Sequence, residues 1–276
     1  MQLLFLDDAA QSKPSRQRVG PLVAVGGISI DVEAARDLES ALNAFCNEIG
    51  FPSREPFKWS PSANHWMREN LIGSGRAEFF ETVLRLAADH GAKGQVTISD
   101  KTKGLASKNS GKHETDVLLM ALERFNGVIR GDLGMVIVAR PSGGRSDEDK
   151  FLSECADIVA NGSDYAQFMN LATHVLTMPF QNSRLLQVAD LVVSITTAMV
   201  AGHTTFAAPV FERVRAMLRA DLGRIGGVGV KIHPDYSYAN LYHWLLGDEY
   251  IKIGGSGIPL PMSDRPYSKD ANRYWR

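Results

Sequence analysis

The residue with the least ordinary setting in this chain is Asp190. It stands in Leu185-Leu186-Gln187-Val188-Ala189-Asp190-Leu191-Val192-Val193-Ser194-Ile195, whose apolar members would cover most of the circumference of a helix. Such a helix is buried on nearly all sides. Its polar residues nevertheless fall at Ser183, Gln187, Asp190, Ser194 and Thr197, at intervals of four, three, four and three, which places them on one face. An isolated carboxylate in an apolar setting is costly unless it is paired, hydrogen-bonded, protonated or bound to metal. Asp190 therefore needs a partner, either in a metal or catalytic site or in a salt bridge or hydrogen bond to a neighbouring helix terminus.

Asp7 and Asp8 follow the continuous apolar run Leu3-Leu4-Phe5-Leu6 and supply that partner. Side chains alternate along a strand, so only one of the two acids faces Asp190. Ligand sites in open α/β sheets favour the carboxyl ends of strands, where Asp7 is expected to lie. The plainer use of a strand-end Asp-Asp is turn capping. Two close carboxylates repel, and a hard divalent cation removes the repulsion. Mg²⁺ or Mn²⁺ suits such an all-oxygen pair better than zinc, because none of His65, His90, His113, His174 and His203 has a partner at zinc-site spacing.

The elements that must position these acids can be followed along the chain. Residues 3–6 form a strand covered on both faces, and residues 22–30 a second β run that passes through Gly26-Gly27. Residues 11–20, with three basic residues and a proline, make a turn or mobile loop between them. Asp31 is a candidate N-cap for a helix bearing Val32, Ala35, Leu38, Leu42, Phe45 and Ile49, ended by Gly50 and Pro52. Residues 51–75 are irregular and hold Phe57-Lys58-Trp59. Further helices are expected near 79–90, 114–125, 147–159, 185–200 and 211–222, and strands at 95–98, 135–139, 173–178 and 228–232. A short helical piece follows at 241–246, and the stretch after Gly254 wraps the surface. The sum is an α/β fold with a mixed central sheet flanked by helices.

Composition bounds the rest. The 276 residues are 44% hydrophobic and 22% charged, which excludes bulk disorder and a disulfide scaffold. The formal charge of -1, from 30 basic and 31 acidic residues, neither supplies nor excludes a basic nucleic-acid face. Lys101, Lys103, Lys108 and Lys112 share a stretch without acids, read either as a solvated loop or as a phosphate-contacting one. Cys46 and Cys155 are expected to be buried hydrophobes. No secretory signal is expected, and the apolar stretch at 191–202 is too short to span a bilayer, so the reading is of a cytoplasmic protein with no membrane partner.

Three segments, in order, resemble a known family, the domain of unknown function 3800 (DUF3800), within the ribonuclease H-like superfamily. Phe5-Leu6-Asp7-Asp8-Ala9-Ala10 resembles its opening strand and acid pair, Glu55-Pro56-Phe57-Lys58-Trp59 its aromatic-lysine segment, and residues 179–192 its most specific stretch, a strand exit leading to Ser and then Leu-Gln-x-Ala-Asp-Leu. The resemblance implies a ribonuclease H-like domain over 1–200, with 201–276 a C-terminal extension packed on it. It also implies Mg²⁺ held by Asp7 and Asp190, with Asp8 beside them, and a metal-dependent nuclease acting on DNA or RNA in phage defence or mobile elements. In that mechanism Lys58 holds the phosphate and Gln187 orients water or a ligand carboxylate. Two departures stand out. The acid pair is Asp-Asp rather than Asp-Glu, and Arg140-Pro141 stands where the family often has an acid, for which Glu114 or Asp116 could substitute. The departures keep two other readings open: an inactive nucleic-acid-binding or regulatory module, and a hydrolase or transferase of a small phosphorylated molecule.

Overall fold

The structure is a computed structural model that describes residues 1–108 and 110–270; Asn109 and the last six residues of the C-terminal stretch lie outside the described residues. Its centre is a six-stranded mixed sheet in the order β5-β4-β1-β2-β3-β6. The strands are β1 (Gln2–Gln11), β2 (Leu22–Asp31), β3 (Lys93–Asp100), β4 (Gly134–Ala139), β5 (Leu176–Met178) and β6 (Val230–His233). β1, β2 and β3 form an antiparallel meander, while β4 pairs in parallel with β1, β5 with β4 and β6 with β3. The carboxyl ends of β1, β3, β4, β5 and β6 therefore lie along one edge of the sheet.

Helices cover both faces. On one side Phe5, Ile28, Val96 and Ile98 pack with α1 (Val32–Glu48), α3 (Gly75–Asp89), α6 (Arg184–Ala201) and α7 (Thr204–Met217). On the other, Leu4, Leu6, Val136 and Val138 pack with Leu118, Leu122 and Phe125 of α4 (His113–Val128) and with Cys155 of α5 (Arg145–Asn161). Cys46 and Cys155 are free and buried. The short helix α2 (Trp66–Asn70) lies inside the otherwise irregular segment 51–75. α6 is long and apolar enough, by length and composition, to cross a membrane, contrary to the sequence expectation; 89% of it is buried inside the molecule, as the core helix of the fold.

Several expectations are corrected. β1 does not stop at Leu6. Its parallel ladder with β4 ends at Leu6↔Val138, but its antiparallel ladder with β2 continues through Asp7↔Gly26 to Gln11↔Leu22, so both acids lie within the strand. The following loop is seated on α6, where the amides of Ser15 and Arg16 both donate to the carbonyl of Ala201 at 2.9 Å. The fully buried Arg16 guanidinium donates to the carbonyls of Val200 and Met199, each at 2.9 Å, and so caps the C-terminal turn of α6. Asp31 occupies the N-cap position of α1 without a cap hydrogen bond; its carboxylate accepts from Gln2 Nε2 at 2.7 Å instead. α7 starts seven residues earlier than expected and carries Pro209 internally.

The C-terminal region also has more structure than its composition implied. β6 forms an edge of the main sheet, α8 (Asp235–Leu241) runs on into a π turn (Tyr242–Leu246), and β7 (Tyr250–Ile253) pairs with β8 (Ser256–Pro259) as a hairpin. Gly254 and Gly255, with φ of 55° and 89°, make the turn that the hairpin requires.

Gly27 fixes how closely α6 approaches the sheet. A Cβ at this position would lie 1.9 Å from the Phe5 carbonyl oxygen and 2.7 Å from the Cβ of Ala189, the residue before Asp190. Gly27→Ala should therefore lift α6 from β1 and destabilise the protein by roughly 1–3 kcal/mol, as overpacking does. The urea midpoint reads this directly, and an unchanged midpoint would show that α6 is not seated on Gly27.

Candidate active site

Asp7 follows Phe5 by two residues and so faces α6, whereas Asp8 shares the face of Leu4 and Leu6 and is exposed. Asp190 reaches the same side from α6. Its Oδ2 accepts from the Trp59 amide at 2.8 Å and its Oδ1 from Ser194 Oγ at 3.0 Å, the partner four residues along the polar stripe. Asp7 Oδ1 accepts, among the described residues, only the amide of Asp8, at 2.9 Å. Among the described residues neither Asp7 nor Asp190 forms an ion pair. The salt-bridge alternative for Asp190 is thus not what the structure shows; its nearest arginine on α6, Arg184, is directed to Asn43, the Glu55 carbonyl and Gln187.

The electrostatics follow from this geometry. Burial first and the charge on Asp190 second push the Asp7 carboxyl up to about 8, against the opposing pull of the Asp8 amide and of Lys58. Asp190 is also raised, first by burial, against the pull of the Trp59 amide, the Ser194 hydroxyl and Lys58. Two donors thus favour the anion at Asp190, and Asp7 is the member of the pair that retains its proton near neutrality.

No family model and no curated protein matches this chain. The site is therefore read from its own geometry. Among the described residues there is no group of three or more His, Cys, Asp or Glu side chains placed to hold a metal ion. Two carboxylates do fit the looser mode of Mg²⁺, which keeps several waters and binds through one or two carboxylates together with substrate phosphates. They do not form an all-protein cage.

The remaining candidates separate into distinct places. Lys58 is exposed, its Nζ lies 4.8 Å from the Phe180 ring centroid, and its charge acts on both acids. Both polar atoms of the Gln187 side chain are engaged within the protein. It is fully buried, its Oε1 accepts from the Phe57 amide at 3.1 Å and from Arg184 at 2.7 Å, and its Nε2 donates to the Phe180 carbonyl. Its role is to hold the 55–59 segment against α6. Glu114 and Asp116 lie at the start of α4, on the opposite face of the sheet. Glu114 pairs with Lys101 at 2.8 Å, and both oxygens of Asp116 accept amides of the preceding loop, from Ala106 at 2.7 Å and Ser107 at 2.9 Å. Neither joins Asp7. Arg140, where the resemblance implies an acid, pairs with Glu148 at 2.9 Å.

Two contributors were not singled out from the sequence. Ser194 was visible as the next polar residue on the stripe. The Trp59 amide was not, because its position depends on how an irregular segment folds back onto α6.

The linkage has a definite sign. A carboxyl with a pKa of 3.8 when unfolded and about 8 when folded adds stability below its unfolded pKa and loses it as pH rises through the folded one. In metal-free buffer, the stability difference between wild type and Asp7→Asn should shift against the wild type as pH goes from about 4 to about 8. Parallel curves would refute the assignment. In Asp190→Asn, carboxyl-resolved NMR should show Asp7 titrating lower than in wild type but still above the ordinary range, because burial remains.

Proposed function

We propose that this protein is a metal-dependent phosphodiesterase acting on DNA or RNA, built on a ribonuclease H-like fold. The observation that carries the reading is the pairing of two acids, from the first strand and from the late core helix, in an apolar setting where neither forms an ion pair among the described residues. The β1–β2–β3 meander continued by parallel β4 and β5 supports the fold assignment. So does the resemblance of residues 5–10, 55–59 and 179–192 to DUF3800 proteins.

In this reading Asp7 and Asp190 hold Mg²⁺ or Mn²⁺. The ion, when bound, neutralises phosphate charge and makes a coordinated water more acidic. The protein's own groups do the rest. Asp190 is fixed by Trp59 and Ser194, so its carboxylate presents a set direction rather than a mobile one. Lys58 offers a flexible point charge to the phosphate from the solvent side. Asp7, with one oxygen free of donors among the described residues, can take or release a proton near neutral pH.

A second reading is favoured by one observation: Arg140 at the end of β4 is tied to Glu148, leaving two acids where the family resemblance implies a fuller set. A binding module with this fold would use the same surface without cleavage.

Asp190→Asn should keep the wild-type circular dichroism spectrum and abolish Mg²⁺-dependent cleavage of labelled DNA and RNA; equal cleavage by both proteins would sink the nuclease reading. Lys58→Gln should lower kcat/KM by about 10²-fold, the cost of removing one well-placed charge-stabilising group. Calorimetry that detects no Mg²⁺ or Mn²⁺ binding, with oligonucleotide binding intact, would select the binding module instead.

A further inference from the structure

The lysine-rich stretch 101–112 divides in two. Lys101 and Lys112 are neutralised by Glu114 and Glu154 at 2.8 Å each, whereas Lys103 makes no ion pair among the described residues. Lys103 and Arg18, which is also unpaired among them, line an open hollow of about 480 Å³ together with Val19, Gly20, Thr102 and Ser237. Among the described residues no carboxylate contributes to its lining. The hollow joins the loop after β1 to the loop after β3.

The two loops are held by one buried acid. Asp100 accepts the amide of Gly20 at 2.9 Å, the amide and hydroxyl of Thr102 at 2.8 and 2.6 Å, and the hydroxyl of Tyr238. Gly20 has to be glycine, since a Cβ there would sit 2.4 Å from Asp100 Oδ1. Arg18 itself has φ of 64°, a left-handed conformation that is unfavourable for a residue bearing a side chain. Its neighbour Arg16 is locked to α6, so the strain is imposed by the surrounding anchors and presents the Arg18 side chain to solvent.

The hollow is also related to the acid pair. Val96 and Ile98 face α6, so Asp100 points to the same side of the sheet as Asp7. The register Gln11↔Leu22↔Asp100 places it four residues along β1 from Asp7 and two strands across. That is a separation of roughly 16 Å, from ~3.3 Å per residue and ~4.8 Å per strand. A mononucleotide held at Asp7 and Asp190 does not reach that far, and two exposed cations in an open hollow do not enclose a free phosphate. A strand carrying several phosphates meets both places.

We infer that Arg18 and Lys103, braced by Asp100, form a phosphate-backbone contact that a polynucleotide strand reaches as it runs on from Asp7 and Asp190. The inference rests on the phosphodiesterase reading for its direction, but not for its test. Binding is measured in EDTA, so no cleavage is needed, with a short labelled DNA strand and its RNA counterpart over a series of salt concentrations. Arg18→Asn with Lys103→Gln is the test variant, asparagine being tolerated at positive φ. Lys93→Gln with Lys252→Gln removes the same charge from exposed positions elsewhere.

The test variant should bind more weakly, with the slope of log K against log salt reduced by about 1.4, the loss of two single-strand phosphate contacts. The control pair should keep the wild-type slope, and hydrolysis of bis(p-nitrophenyl) phosphate should be the same in all three proteins. An unchanged slope in the test variant, an equal fall in the control, or no oligonucleotide binding by the wild type would each overturn the inference. A slope that falls as expected in a protein that cleaves nothing upholds the contact and removes the nuclease reading.

Discussion

Two acids that oppose each other in a poorly solvated place set the terms for the rest of this molecule. Asp190 projects from the most apolar helix of the fold, and Asp7 from the strand beneath it, so both are only partly open to water and burial raises both carboxyls. Burying one carboxylate is expensive, and burying a second beside it adds repulsion in a medium that screens weakly. The fold answers unequally. Asp190 receives an amide and a hydroxyl, Asp7 a single adjacent amide, and the proton goes to the less supported partner.

Keeping that arrangement in register requires α6 to be fixed along its length. At its start, Ser183 and the first helical amides are bound by Glu39 of α1, while Arg184 ties α6 to Asn43 and to the carbonyl of Glu55. In the middle, Gly27 lets Ala189 come down onto the backbone of β1 and β2. At its end, Arg16 donates to the carbonyl of Val200 and adds a second donor to that of Met199, which also accepts the Gly202 amide. Gln187 has a different part in this scheme from the one its motif implied. A buried amide that spends its oxygen and its nitrogen on backbone and arginine is a clamp, and what it clamps is the segment that delivers the Trp59 amide to Asp190.

What the sequence disclosed, and what it withheld, follows from range. Periodicity located α6 and its polar stripe to within a residue, because an apolar helix with one recurrent polar face is a local pattern. The order of strands and helices, and with it a mixed sheet, was legible for the same reason. The end of β1 was misplaced because two acids look like a terminus, and only the long pairing of Asp7, Asp8 and the residues beyond with β2 carries the strand onward. Glu114 and Asp116 looked available because their partners, Lys101 and the amides of residues 106 and 107, lie in a loop whose shape no short window encodes. The same limit hid the division of the four lysines into paired and unpaired.

The absent third acid changes what the site can ask of a cation. With Asp7 protonated, Asp190 and Lys58 offset each other, and the charge of Asp8 on the other face of the strand acts on both acids. Admitting a divalent cation requires Asp7 to give up its proton, so on the proposed reading binding is coupled to proton release and strengthens as pH rises toward about 8. Two carboxylates then cancel the ion's charge without exceeding it, and the remaining coordination positions fall to water and to phosphate oxygen. A site of this kind holds its ion weakly until an anionic substrate completes it. On the proposed reading, substrate affinity would then have to come from elsewhere on the surface, and Lys58 beside the acids, with Arg18 and Lys103, which form no ion pair among the described residues, would supply it.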